Sequence, residues 1–227
     1  GITGQAFGIV DSTPRDGTYP CPSVSNPFQA DTSIIRDKEI ASGDAQACGR
    51  TLAGGVNDMA AQLAAASSAG LASVGSDGSV AMTVHQINGD GAGPYTCDVS
   101  ADASGQNFVA MEVTTNVPGQ NSRSQAKATD FPLVAQMPAG TTCTGGPDGD
   151  ACVVRCRNAA RAGPFGGCVP VTNAAPAGGN STTTKRDVTI AEAEEALRED
   201  MERRSVKSEK KRYLRTRIAG AKAGYWI

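Results

Sequence analysis

Residues 82–97 read MTVHQINGDGAGPYTC, and the fold class is decided here. Val80, Met82 and Val84 recur at every second position, the period of a strand that buries one face. The Asn88-Gly89-Asp90-Gly91 run that follows is built of residues that turn a chain and end a strand. His85 is the only histidine among 227 residues, and it falls close to that strand end, where side chains begin to reach solvent. Metal or proton chemistry in this chain passes through His85; the plainer alternative is an imidazole hydrogen-bonded across a sheet.

Outward from this stretch the pattern repeats. Strands are expected at residues 4–10, 80–87, 108–115, 133–136 and 151–155, with Gly, Pro and Asn turns between them. One helix interrupts them: Asn57 or Asp58 can cap the Ala-rich run MAAQLAAASSA, which stops at Gly70. Aromatic residues make up 4% of the chain and there are 27 glycines, so the core is drawn from Ala, Val, Ile and Leu in short strands. The expected fold is mainly β, an antiparallel, immunoglobulin-like β-sandwich stapled by disulfides, with one short inserted helix. No apolar run approaches the roughly 18 residues that would span a bilayer. Neither a dinucleotide-binding G-x-G-x-x-G after a strand, nor a P-loop, nor a G-x-S-x-G elbow is present.

Seven cysteines bear on the compartment. Cys143, Cys152, Cys156 and Cys168 fall among Gly-Gly, Pro-Asp-Gly and Pro-Phe-Gly-Gly turns. Sequence so dense in turns is poorly held by a core and well held by disulfides, which points to an oxidising, secretory route. Zinc is the competing use of such thiols, but there is no second histidine and no paired C-x-x-C knuckle. Cys48, Cys97, Cys143, Cys152, Cys156 and Cys168 are the expected disulfide cysteines, with pairing left open by their spacing. Cys21, in TYPCPSVSNP, is the expected odd thiol.

Charge divides the chain. From Lys185 onward the net formal charge is +4, against −6 before it. The expected organisation is a β-sandwich domain over 1–172, a Pro/Gly/Ser/Thr linker over 173–186, and a charged, flexible tail over 187–227. The linker carries a single N-glycosylation sequon at Asn180. In the tail, Thr189 and Glu192 can form a capping box, and Ile190, Ala193, Leu197 and Met201 lie along one side of a partly formed helix. Nucleic-acid binding by this basic end is disfavoured, because acidic residues are interleaved and aromatics are missing between the cations.

Weaker candidates remain. Asp31, Arg36 and Asp37 form a charged cluster that caps a turn or binds a sugar. Arg155 and Arg157 project from the same side of a strand-like run, as structural ion pairs rather than a phosphate site. Asn88, Asp90 and Asp98 suggest calcium by composition, but their spacing is not that of an EF-hand loop.

Several blocks taken in order carry a family resemblance: QADTSIIRD (29–37), ACGRT (47–51), MTVHQINGDGAGPYTC, TTNVPGQN (114–121), CTGG and CVVRCRN (within 143–158), and AGPFGGCVPV (162–171). Together they resemble the Egh-like fungal virulence-factor family, which includes the appressorial MAS-type secreted proteins. The resemblance spans about three quarters of the chain. It implies a secreted, extracellular or wall-associated monomer acting at the appressorium or host interface. The expected action is non-catalytic binding of host or fungal cell-wall polysaccharide, or of a host surface protein. In such a protein the pairs Lys185-Arg186, Arg203-Arg204 and Lys211-Arg212 resemble sites for a kexin-type processing protease; the alternative is a solvated charged tail.

A second resemblance, in architecture, is to lytic polysaccharide monooxygenases. It implies copper, held by an N-terminal histidine and a second imidazole. The chain starts GITGQAFG, similar to the family pattern with a leading histidine trimmed. A histidine ahead of Gly1 would combine with His85 and Asp90 as copper ligands. The GDGAGPY loop departs from the monooxygenase pattern, in which a histidine stands close before the Gly-Pro.

Overall fold

The computed structural model describes residues 6–9, 13 and 27–174. Cys21, Asn180, the dibasic pairs and the charged tail lie outside the described residues.

In chain order the elements are β1 (Ser33–Ile34), α1 (Asp37–Ser42), β2 (Arg50–Thr51), β3 (Gly55–Val56), α2 (Met59–Ala69), β4 (Ala72–Ser73), β5 (Ser79–Gln86), β6 (Thr96–Ser100), β7 (Val109–Thr115), β8 (Thr129–Gln136), β9 (Ala151–Arg157) and β10 (Phe165–Thr172). Short 3-10 turns at Pro27–Gln29 and Gly89–Gly91 complete them. Nine of the ten described strands form one hydrogen-bonded path, β3-β2-β1-β10-β9-β6-β7-β8-β5, antiparallel throughout, and the tenth, β4, pairs with β10 in parallel. The fold class is as expected: mainly β and disulfide-stapled, with α2 as the inserted helix and the six-residue α1 in addition.

The sheet cannot be flat. Four strand spacings separate β9 from β5 along the path, roughly 19 Å if laid out in a plane. Yet Met82 Sδ on β5 lies 3.9 Å from Cys156 Sγ on β9. The path therefore folds over on itself, and the main core fills the space between its two halves. Val80, Leu133 and Ala135 from β5 and β8 pack there against Val99, Val154 and Val171 from β6, β9 and β10. A register shift between Val113 and Thr115 breaks the β7/β8 ladder near the fold, as a bulge does where a sheet must bend.

Strand β9 is buried on both faces. Cys152, Val154 and Cys156 point into the main core, while Ala151 and Val153 enter a second cluster beneath α2. Helix α2 supplies Met59 and Leu63, one turn apart on a single face, and Phe7 and Phe108 close that cluster. Asp58 caps α2 as its position dictates, accepting from Ala61 N at 3.0 Å.

Three disulfides staple the layers: Cys48–Cys168, Cys97–Cys156 and Cys143–Cys152. The first closes the longest loop, a separation of 120 residues, and both of its cysteines are fully buried. Among the described part of the strand expected at 4–10, residues 6–9 form a turn instead. The backbone there is held by single contacts to β10 and α2, with Phe7 N donating to Cys168 O at 2.8 Å and Gly8 N to Gln62 Oε1 at 2.6 Å. Phe7 marks burial there, not a ladder. No described helix is long and apolar enough to cross a membrane.

Candidate functional site

The β5 strand ends beside the Gly89–Gly91 turn, and between them and the β1/β10 side of the sheet opens a cavity of about 320 Å³. Ala6, Phe7 and Ile9 wall it from the N-terminal side. Ser33 and Gly167 belong to its β1/β10 wall, and Met82 to His85 to its β5 wall. Tyr95 and Phe165 are its other aromatic lining residues.

His85 sits opposite Asp130 in the β5/β8 register, and its Nδ1 lies 2.5 Å from Asp130 Oδ1. A carboxylate only accepts, so in the neutral ring Nδ1–H donates to Asp130 and Nε2 is left as the acceptor. That Nε2 is buried and has no hydrogen-bond partner. Asp90 Oδ1 is in the same condition. Both residues line the cavity. A buried acceptor left unpaired costs on the order of 1–3 kcal/mol, so a chain that holds two beside one cavity gains when an occupant brings donors.

The turn bearing Asp90 is held from several sides. Asn158, 4% exposed, donates from Nδ2 to Asp90 O at 2.8 Å and to Ala92 O at 3.0 Å, while its Oδ1 accepts from Phe165 N at 3.0 Å. Gln86, 1% exposed, donates from Nε2 to Asn88 O, Ser124 Oγ and Ala126 O, and its Oε1 is a further buried acceptor without a partner. Tyr95 donates its hydroxyl to Gly91 O at 3.0 Å; burial, and then the Asp90 carboxylate, push its ionisation above the ordinary tyrosine value. The site is thus pre-formed, with its acceptors fixed by backbone-level contacts.

Across the cavity, glycine has a defined use. A Cβ on Gly166 would stand 1.9 Å from Cys156 O, so no side chain fits there. A Cβ on Gly167 would meet nothing within 4 Å. Gly167 therefore leaves open space in the β10 wall that any larger side chain would fill.

The other sequence candidates disperse. Asp31 is 1% exposed and lines the cavity, which Arg36 and Asp37 do not. Arg36 donates to Gly163 O, Ala162 O and Glu39, and Asp37 pairs with Arg157 at 2.5 Å. Asp98 is taken by Arg155, through contacts of 2.5 and 3.0 Å, which removes it from the Asn88/Asp90 neighbourhood. Arg155 also stacks 3.8 Å from the Phe108 ring centroid and donates to Ala47 O. Among the described residues no group of three His, Cys, Asp or Glu side chains is placed to hold a metal ion.

Comparison with known proteins then fixes the relationship, since the Egh16-like virulence factor family matches residues 1–166. The chain belongs to the Egh16-like family. The match takes in every cavity-lining residue except Gly167 and Val169. Among Egh16-like relatives, the appressoria-specific virulence factor GAS1 of Pyricularia oryzae is 46% identical over 175 residues, covering 74% of this chain and 66% of the relative. The appressoria-specific virulence factor GAS2 of the same fungus is 34% identical over 233 residues, covering 76% of this chain and 79% of the relative. The chain thus spans just under two thirds of the length of GAS1. No solved structure matches it. The architectural likeness to polysaccharide monooxygenases accordingly rests on the sequence pattern alone.

Sequence reasoning reached His85 and Asp90 but missed Asp130, Gln86, Asn158 and Gly167. Asp130 follows only from the β5/β8 register, and Asn158 only from where β9 meets the Asp90 turn. Gly167 carried a faint signal, as the second of two adjacent glycines inside a strand.

Proposed function

We propose that this Egh16-like protein is secreted and acts at the appressorium or host interface by non-catalytic binding of cell-wall polysaccharide, using the cavity between β5 and β10. The observation that carries the reading is the pair of unpartnered buried acceptors, His85 Nε2 and Asp90 Oδ1, on two residues that line a walled cavity with aromatic lining. Hydroxyl-rich glycans supply donors to such acceptors, and their C–H faces rest against aromatic rings. The names of the relatives and the three disulfides support an extracellular site of action in infection. Sedimentation of the purified full chain with intact fungal and plant cell walls tests it. Binding that Gly167→Leu reduces about tenfold or more is the expected result, and a chain left wholly in the supernatant overturns the reading.

A second reading is favoured by one detail of the same site. Metal-ligating imidazoles are commonly oriented by a carboxylate on the far ring nitrogen, as Asp130 orients His85. His85 Nε2 and Asp90 Oδ1 would hold copper together with a histidine preceding Gly1. Copper bound there would supply redox chemistry toward polysaccharides. The naturally processed protein, titrated with copper beside His85→Ala, decides it: a start at Gly1, or binding indifferent to the substitution, contradicts the copper site.

A further inference from the structure

The unpartnered atoms of the cavity-lining residues His85 and Asp90 share a property that narrows the ligand. With the imidazole neutral, His85 Nε2 and Asp90 Oδ1 are both acceptors, and so is the nearby Gln86 Oε1. No lysine or arginine stands among the described residues lining the cavity, whereas Asp90 does. An occupant must therefore bring donors, and one that brings positive charge gains most beside the Asp90 carboxylate. The acceptors are also spread over two elements, the β5 strand and the Gly89–Gly91 turn. Lysine delivers its donors at one point on a flexible stem, while a sugar ring carries them around a rigid frame. The cavity volume lies near the lower end of the roughly 300–1,000 Å³ typical of ligand pockets, which suits one or two pyranose rings.

We infer that the cavity selects a cationic amino sugar, a glucosamine unit with a free ammonium group, over its N-acetylated or neutral counterparts. The ammonium donates to the Asp90 carboxylate, a ring hydroxyl donates to His85, and the C–H face of the sugar lies against Phe165. Acetylation would remove the charge and set a neutral amide beside Asp90. This inference rests on the wall-binding reading and adds the chemistry of the residue recognised.

The test is calorimetric titration of the oxidised full chain with four probes: a glucosamine tetrasaccharide, the N-acetylglucosamine tetrasaccharide, a hexalysine peptide and cupric ion. The free-amine sugar is expected to bind about tenfold or more tighter than the acetylated one, the scale of a charge-assisted hydrogen bond. Asp90→Asn should erase that preference. Gly167→Leu should weaken both sugars with an unchanged melting temperature, which separates cavity filling from misfolding. Equal or tighter binding of the acetylated sugar overturns the inference while leaving wall sedimentation, and with it the broader reading, intact. Tighter binding of hexalysine overturns it in favour of a basic peptide, and His85-dependent copper binding without sugar binding overturns it in favour of a metal. If neither sugar binds while walls still sediment the protein, the inference again fails alone.

Discussion

Two polar residues of this sheet have opposite fates. Arg155, at its centre, is saturated: a carboxylate, a backbone carbonyl and the face of Phe108 surround its guanidinium. His85, on the edge strand β5, has one ring nitrogen satisfied and the other buried with nothing to accept from. Arg155 sits in a region where disulfides tie β9 and β10 to their neighbours, so its surroundings contribute stability and little else. His85 faces a cavity whose polar atoms are incomplete without an occupant. The difference separates scaffold from site.

The comparison breaks most visibly if the centre is cut. Replacing Cys48 and Cys168 together by Ala opens the 120-residue loop and is expected to cost about 2–5 kcal/mol in denaturant unfolding. Arg155→Ala, which strands Asp98 and uncovers Phe108, is expected to cost about 2–3 kcal/mol in the same measurement. Losing the α2 cap through Asp58→Ala should cost about 1 kcal/mol by thermal unfolding. At the cavity the effect on stability should be small: Asp90→Asn is expected to stay within about 0.5 kcal/mol of the parent, because its Oδ1 has no partner to lose. Losses as large at Asp90 as at Arg155 would erase the distinction between the two regions.

The smallest effect is electrostatic and lies away from both regions. Arg50, with Arg36, holds the Glu39 carboxyl down to about 2. A depressed carboxyl contributes stability that is fully present above its unfolded value near 4.5 and is lost as pH falls toward 2. Glu39→Gln should therefore remove a small contribution that the parent keeps above pH 4.5 and flatten the acid limb of unfolding between pH 4.5 and pH 2, so that the two proteins converge at the acid end.

The sequence shows the two regions unequally. Alternation at Val80, Met82 and Val84 and the Asp58 cap are local signals, and β5 and α2 lie within a residue or two of where those signals place them. β6 and β10 carry no clean alternation, because both faces of the sheet centre are buried and glycine and proline interrupt β10. At the site, His85 and Asp90 stand out by rarity and by turn chemistry. Their partners Asp130, on β8, and Asn158, just past β9, lie 45 and 68 residues away, and strand register does not show in one sequence. The turn at Ala6–Ile9 shows the converse error, in which apolar residues that close a cavity read as a strand.

The central claim is that the cavity between β5 and β10 is where this Egh16-like protein meets its ligand. Gly167→Leu tests it most directly, since its Cβ meets nothing and its side chain occupies the cavity without disturbing the sheet. Wall sedimentation of the parent and the variant, matched by thermal melts, gives the answer. The account predicts an unchanged melt and binding reduced about tenfold or more; an unchanged melt with undiminished binding would contradict it.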